Sequence, residues 1–395
     1  MFHRLINPLQ SNSFFLFGAR GTGKSTWLRE SFQPTGDVFW IDLLHPETED
    51  RYRQEPALLA RDLGARSRAP QWVVIDEVQK VPRLLDQVHA LIESQSIRFA
   101  MTGSSARKLK KASANLLAGR AFVNHAFPLT QSELGPSFDL DTVLRWGSLP
   151  KQFSLASGEA KSEYLRSYAL TYLREEIQLE QIVRKIEPFR DFLEIAAMTS
   201  GKIVNASRIA KEAGVDYKSI QSYFEILEST WLGFRIPAYH RSIRKSQRLA
   251  PKFYLFDIGV KRALERSLDW IPQEGTPYFG HLFEEWVIQE FFRLSHYRKS
   301  DFRLCYLATH GGSEIDLVID RGRGRKPFAV EIKSSVRIDE IEVRKLEALA
   351  EDLGPEKIYY LSRDPNRARL GKVECLPWAQ GISEIFGMGA ATAPP

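Results

Sequence analysis

Residues 14–26 read Phe14-Phe15-Leu16-Phe17-Gly18-Ala19-Arg20-Gly21-Thr22-Gly23-Lys24-Ser25-Thr26. Four apolar residues followed by G-x-x-x-x-G-K-[ST] predict a buried strand, a phosphate-binding loop and a helix over Ser25–Phe32. Gly18, Gly21 and Gly23 let backbone N–H groups turn inward around phosphates, and the helix N-terminus adds partial positive charge. Lys24 suits the β- and γ-phosphates of ATP and the Ser25 hydroxyl suits Mg2+, with Thr22 and Thr26 flanking them. The stretch decides the fold class, because such a loop joins a parallel strand to its crossover helix.

Working outward, apolar runs at Val38–Ile41, Trp72–Ile75, Phe99–Thr102 and Phe122–His125 alternate with helix-like segments. That alternation predicts a mostly parallel α/β sheet. The run from Trp72 ends in Asp76-Glu77, and open α/β sheets place ligands at the C-terminal ends of their strands. Asp76 is expected to hold Mg2+ through water, and Glu77 to polarise the attacking water as general base. The run from Phe99 ends in Thr102-Gly103-Ser104-Ser105. A polar residue there suits the γ-phosphate and the water; Ser104 is the first choice, Thr102 and Ser105 its rivals.

The rest of the composition bounds the answer. At roughly 150 residues per domain, 395 residues suggest two or three domains. A 43% hydrophobic and 26% charged chain is neither disordered, collagen-like nor disulfide-framed. No apolar stretch approaches the roughly 18 residues of a membrane helix. Met1-Phe2-His3-Arg4 opens no signal-peptide core, and Cys305 and Cys375 match neither a zinc spacing nor a disulfide framework. A cytoplasmic protein with reduced thiols and no membrane contact is expected. Lys plus Arg exceed Asp plus Glu by 55 to 49, a modest excess compatible with DNA as partner.

After Gly135-Pro136, residues 139–183 read as helices. Asn205–Val215 and Tyr217–Ser229 are two short helices joined through Gly214, a helix-turn-helix pattern. Arg235, Arg241, Arg244, Lys245, Arg248 and Lys252 then cluster around a hairpin suited to lie as a wing against phosphates. The exposed face of the second helix would show Lys218 and Glu225 but no arginine, so backbone contact is expected over base readout. The basic run Arg107-Lys108-Leu109-Lys110-Lys111 would line a channel if the chain formed a ring.

The last third holds a second constellation. An amphipathic helix carries Glu284 and Glu285, a strand carries Glu314-Ile315-Asp316, and a second strand ends Glu331-Ile332-Lys333. Residues two apart in a strand share a face, so Glu331 and Lys333 project together and Asp316 joins them from the next strand. Asp316 and Glu331, with Glu284 as a further contact, suit Mg2+ or Mn2+. Lys333 would orient the water and neutralise phosphate.

The motifs GARGTGKST, WVVIDEVQK, FAMTGSSARKL and LLAGRAFVNHAFPLTQSEL resemble the AAA+ ATPase domain of a large bacterial and archaeal family. Its members couple that domain to a C-terminal region resembling PD-(D/E)XK nucleases, and Asp-x14-Glu-x-Lys with the preceding G-x-L-F-E segment resembles that core. Ile315 stands where the nuclease pattern has proline. The resemblance implies that Arg120 is an arginine finger reaching the neighbouring subunit's nucleotide, in a homo-oligomeric, hexameric ring. It offers Arg166 and Arg174 as second sensor arginines without separating them.

The expectation is an α/β multidomain chain: an AAA+ core over 1–135 and a helical lid over 136–187. A winged helix-turn-helix over 188–252, a nuclease-like α/β domain over 253–388 and a flexible tail over 389–395 follow. The expected function is an ATP-dependent DNA-processing ring, acting on branched DNA among other forms, with a metal-dependent nuclease site. Its competitors are an ATP-switched DNA- or protein-binding module with a silent nuclease fold, and a defence or toxin-type regulator acting on proteins.

Overall fold

The computed structural model describes residues 2–32, 37–95, 97–104, 109, 119–172, 186–240, 249–309 and 311–388. Ser105, Arg107, Lys108, Lys110, Lys111, Arg174, Arg241, Arg244, Lys245, Arg248 and the tail 389–395 lie outside them.

Five strands, β1 (Ser13–Phe17), β2 (Val38–Asp42), β3 (Trp72–Asp76), β4 (Arg98–Gly103) and β5 (Ala121–His125), form a sheet of order β2-β3-β4-β1-β5. Every pairing in it is parallel. The inner strands β1, β3 and β4 read as continuous apolar runs because both faces are covered, whereas β2 is half-buried and β5 exposes Phe122 and Val123. Phe15, Phe17, Val73, Ile75 and Met101 pack toward one core, Phe14, Leu16, Val74 and Ala100 toward the other. Helix α1 (Lys24–Phe32) follows β1 directly. Helices α2 (Pro46–Gln54) and α3 (Leu58–Gly64) join β2 to β3, and α4 (Leu84–Ser94) joins β3 to β4.

Beyond the sheet, α5 (Gln131–Leu134), α6 (Leu140–Trp146) and α7 (Gly158–Ser167) run into a π-turn over Tyr168–Tyr172. Each start is marked by a side chain on an orphan N–H: Thr130 in a full capping box, then Asp139 and Ser157. Helix α8 (Ile186–Met198) precedes α9 (Ala206–Glu212) and α10 (Tyr217–Ser229), which begin at the caps Asn205 and Asp216. Their core is aromatic: Phe189, Phe192, Tyr223, Phe224 and Phe253 meet edge to face. Strands β6 (Gly233–Ile236) and β7 (Lys252–Leu255) pair antiparallel behind them.

After α11 (Ile258–Leu264) comes α12 (Pro277–Tyr297), then β8 (Arg303–Ala308), β9 (Glu314–Asp320) and β10 (Phe328–Ile332). Helix α13 (Glu340–Glu351), β11 (Lys357–Ser362), β12 (Ala368–Leu370), β13 (Val373–Pro377) and α14 (Trp378–Ile385) complete the order. The second sheet runs β12-β13-β11-β10-β9-β8 and is mixed, with β10-β11-β13 parallel and the remaining pairs antiparallel. Cys305 and Cys375 are free and buried. No helix among the described residues is long and apolar enough to cross a membrane.

Sequence reading expects α12 to be amphipathic; the structure buries it nearly all round. Glu285, Gln289, Glu290 and Arg293 are inside with Trp286 and Phe291. Burial is tolerated because each charge is answered. Arg293 donates to Leu129 O at 3.1 Å, Ser148 Oγ at 3.1 Å, Phe256 O at 2.9 Å and Gln289 Oε1 at 2.9 Å. Glu285 faces Lys261 at 3.4 Å and His281 at 3.0 Å. One helix thus ties the segment after β5, the hairpin and the second sheet together.

Candidate active sites

The phosphate loop lies between β1 and α1, where the sequence puts it. Gly21 and Gly23 have φ of 78° and 87°, in the left-handed region that favours glycine. A Cβ on Gly18 would collide with the Ala126 carbonyl. Lys24 is 5% exposed and donates to Gly18 O at 2.8 Å and Ala19 O at 3.1 Å, while Thr22 Oγ1 donates to Ala19 O at 2.8 Å. The loop's own carbonyls thus hold the lysine. Ser25 is half-buried and Thr26 exposed on the first turn of α1.

Arg4, which carries no sequence signal, clamps this loop from outside. It donates to Thr22 O at 2.6 Å, Phe127 O at 2.7 Å, Tyr297 Oη at 3.0 Å and Glu133 Oε1 at 2.9 Å. Burial opposes its charge, but Tyr297 and Glu133 outweigh that and raise its pKa. Tyr168 Oη donates to Arg20 O at 2.8 Å from the other side.

Asp76, at the end of β3, is fully buried. Its Oδ1 accepts from Thr102 Oγ1, and its Oδ2 has no hydrogen-bond partner among the described residues. An orphan carboxylate oxygen at this place fits Mg2+ or its bound water. Thr102 also accepts from Glu77 N at 3.0 Å, so it braces the acidic pair and is not turned to a substrate. Glu77 has φ 58°, left-handed although it is not glycine. Its carboxylate accepts from Gln79 Nε2, which also donates to Ser104 Oγ at 3.1 Å. Arg120 lies just before β5, and its guanidinium pairs with Glu93 of α4.

In the second sheet, Asp316 and Glu331 are 7% and 8% exposed on paired antiparallel strands. Asp316 Oδ2 accepts from Ile332 N at 2.8 Å. Glu331 Oε1 pairs with Lys333 Nζ, and its Oε2 is buried without a partner among the described residues. Burial and then the Asp316 charge push the Glu331 carboxyl up to about 8. Glu284, reaching in from α12, is also pushed up to about 8 by burial and then Asp316. The expected three-carboxylate ligand set does not close: among the described residues no three His, Cys, Asp or Glu side chains converge as a metal group. The orphan Glu331 oxygen suits a hard cation at the Asp316–Glu331 pair. Glu284 instead faces Lys252 at 3.7 Å, and Lys252 also pairs with Glu314.

Lys252 is therefore not a wing residue turned to solvent. It is 4% exposed and inserts from β7 into the carboxylate cluster beside the Tyr306 ring. Arg235, at the other end of the basic cluster, pairs with Glu228 of α10. Lys252 is buried among its carboxylates, while Arg235 stays half-exposed.

Residues 10–135 match the family described as AAA domain. Residues 137–270 match a domain of unknown function (DUF8612), and residues 279–380 match another (DUF4143). The N-terminal region is an AAA-type P-loop ATPase domain. The chain is 25% identical over 277 residues to an uncharacterized protein of Mycobacterium tuberculosis and equally to one of Mycobacterium bovis, covering 70% of this chain. The alignment spans 61% of those proteins' length. An uncharacterized Haemophilus influenzae protein is 24% identical over 268 residues, 62% of this chain and 67% of that protein. Among solved structures, Can2 from Sulfobacillus thermosulfidooxidans in complex with cyclic tetra-adenylate superposes with a TM-score of 0.22. That match is 11% identical, covers 90% of this chain and 100% of Can2, and is too slight to bear on fold or ligand. The expected resemblance to PD-(D/E)XK nucleases has no counterpart in these matches.

Proposed function

We propose that the chain is an ATP-driven DNA-processing machine. ATP is hydrolysed at the Lys24–Asp76–Glu77 site, completed between subunits of a hexameric ring by Arg120. The Asp316–Glu331–Lys333 site cleaves DNA with Mg2+ or Mn2+. The division into core, lid, winged helix-turn-helix and nuclease-like domain belongs to the same proposal. Its strongest support is the orphan Asp76 oxygen on the same sheet edge as a phosphate loop closed on its own lysine. Both groups await a ligand of opposite charge.

With ATP bound, Lys24 exchanges the Gly18 and Ala19 carbonyls for phosphate oxygens. Ser25 and Asp76 would hold Mg2+, which would supply neutralisation of phosphate charge. Glu77 accepts a proton from water as its oxygen bonds to the γ-phosphorus; the bond to the bridging oxygen breaks and its electron pair leaves with ADP. Replacing Glu77→Gln should preserve ATP binding and cut turnover roughly 100-fold or more. Normal turnover would remove Glu77 from this role. Arg120→Ala should bind ATP normally yet lose turnover, and unchanged turnover would sink the intersubunit site.

One observation favours a second reading. Lys252 already answers Glu284 and Glu314, and among the described residues no three carboxylates converge. The C-terminal region would then be a silent clamp on an ATP-switched binding module. Labelled duplex, single-stranded and four-way-junction DNA, with Mg2+ or Mn2+ and with or without ATP, separates the two. Cleavage lost in Lys333→Ala supports the nuclease; binding without cleavage supports the clamp.

A further inference from the structure

Gln79 lies two residues beyond the acidic pair, in the 3-10 turn Val78–Lys80 that leaves β3. It is 7% exposed. Its amide nitrogen donates to the Glu77 carboxylate and to Ser104 Oγ, which come from the ends of two different strands. Its Oε1 is buried with no hydrogen-bond partner among the described residues. A Cβ on Gly103 would meet that oxygen at 2.6 Å, so the glycine in Thr102-Gly103-Ser104 leaves room for the amide. An amide that spends both N–H groups on two neighbours while leaving its carbonyl unanswered is held for those neighbours and not for packing.

We propose that Gln79 is a positioning residue for ATP hydrolysis, joining the general base Glu77 to the γ-phosphate contact Ser104 as one unit. This rests on the reading of Glu77 as base given above. Glu77 leaves β3 in a left-handed turn, a conformation that a non-glycine residue rarely adopts. Gln79 holds the carboxylate that this turn presents. The same amide holds the hydroxyl, so the water-facing oxygen of Glu77 and the phosphate-facing oxygen of Ser104 keep a constant separation. Such fixed geometry acts on the attack itself and leaves affinity for ATP alone.

The test compares the full-length protein with Gln79→Met, Gln79→Glu, Ser104→Ala and the Gln79→Met/Ser104→Ala double variant. Fluorescent ATP-analogue binding, steady-state turnover and thermal melting are measured on each. Gln79→Met keeps the length and bulk of the side chain and removes the donors; kcat should fall roughly 10- to 100-fold with nucleotide affinity within about 2-fold. Gln79→Glu, nearly isosteric but an acceptor, should be at least as impaired. Ser104→Ala should add little to Gln79→Met, because both break one bridge. Full turnover in Gln79→Met, equal losses of affinity and kcat, or strict additivity with Ser104→Ala would each overturn the bridge. A Glu77→Gln control that still hydrolyses ATP would instead overturn the base assignment beneath it, and the bridge with it.

Discussion

The two carboxylate sites look alike in sequence and differ in how many of their charges a lysine already answers. At the end of the first sheet, Asp76 keeps one oxygen without a partner among the described residues, and Lys24 rests on neutral carbonyls. In the second sheet, Glu331 also keeps one oxygen without a partner among the described residues, but its other oxygen is paired with Lys333, and Glu314 and Glu284 are paired with Lys252, a lysine brought in from the hairpin. A cation arriving at the first site meets no protein charge already seated on Asp76. One arriving at the second must share its carboxylates with two ammonium groups. Identical residue types therefore differ in readiness because of what the surrounding chain has already supplied.

The largest test of that contrast is Lys24→Ala. It removes the loop's only ammonium, and nucleotide affinity measured by fluorescence titration should drop on the order of 100-fold or more. A small loss would mean that backbone amides alone hold the phosphates. Next, Lys333→Ala should remove metal-dependent DNA cleavage by roughly 100-fold while leaving ATP turnover within about 2-fold; parallel loss of both activities would mean the sites are not separate. Lys252→Met retains the packing on Tyr306 and removes the charge. Denaturant unfolding should show about 2 kcal/mol lost, less than the ~3–5 of a fully buried pair because Glu284 and Glu314 reach solvent. No loss would mean the carboxylates are indifferent to it.

The smallest effect concerns neither site. His125, at the end of β5, lies tilted against Trp231 and meets His296 edge-on. Burial, and then His296, push it down to about 3. An unfolded histidine takes its proton near 6.5, so below that pH the unfolded chain binds a proton that the folded chain refuses. Stability should be full well above 6.5 and fall as the pH drops through 6.5 toward about 3, the slope approaching about 1.4 kcal/mol per pH unit well below 6.5. His125→Phe should flatten that slope in unfolding series at several pH values.

Much of this was legible beforehand for a local reason. A strand, a Gly-rich turn and a helix N-terminus are set by neighbours in sequence, so β1, α1 and the carboxylates closing β3 stand where the motif puts them. The same holds for α9, α10 and the β9–β10 pair. Arg4 and Lys252 were not legible as site residues. Arg4 reaches Glu133 and Tyr297 across 129 and 293 positions of chain, and no local pattern marks such a partner. In sequence Lys252 is one member of a basic cluster, and its carboxylate neighbours Glu284 and Glu314 come from α12 and β9. Gln79 carried a weak signal, its place two residues after Glu77, that becomes meaningful only when β4 brings Ser104 alongside.

The sequence alone determined the chemistry on offer: a phosphate loop, an acidic pair to follow it, and a second set of carboxylates with a lysine. Spacing within a few residues is enough to write those, because backbone geometry carries them. Tertiary structure decided which charges are already answered. Electrostatic pairing depends on distance in space, and only the packing of α12 against both sheets and the β6–β7 hairpin set those distances.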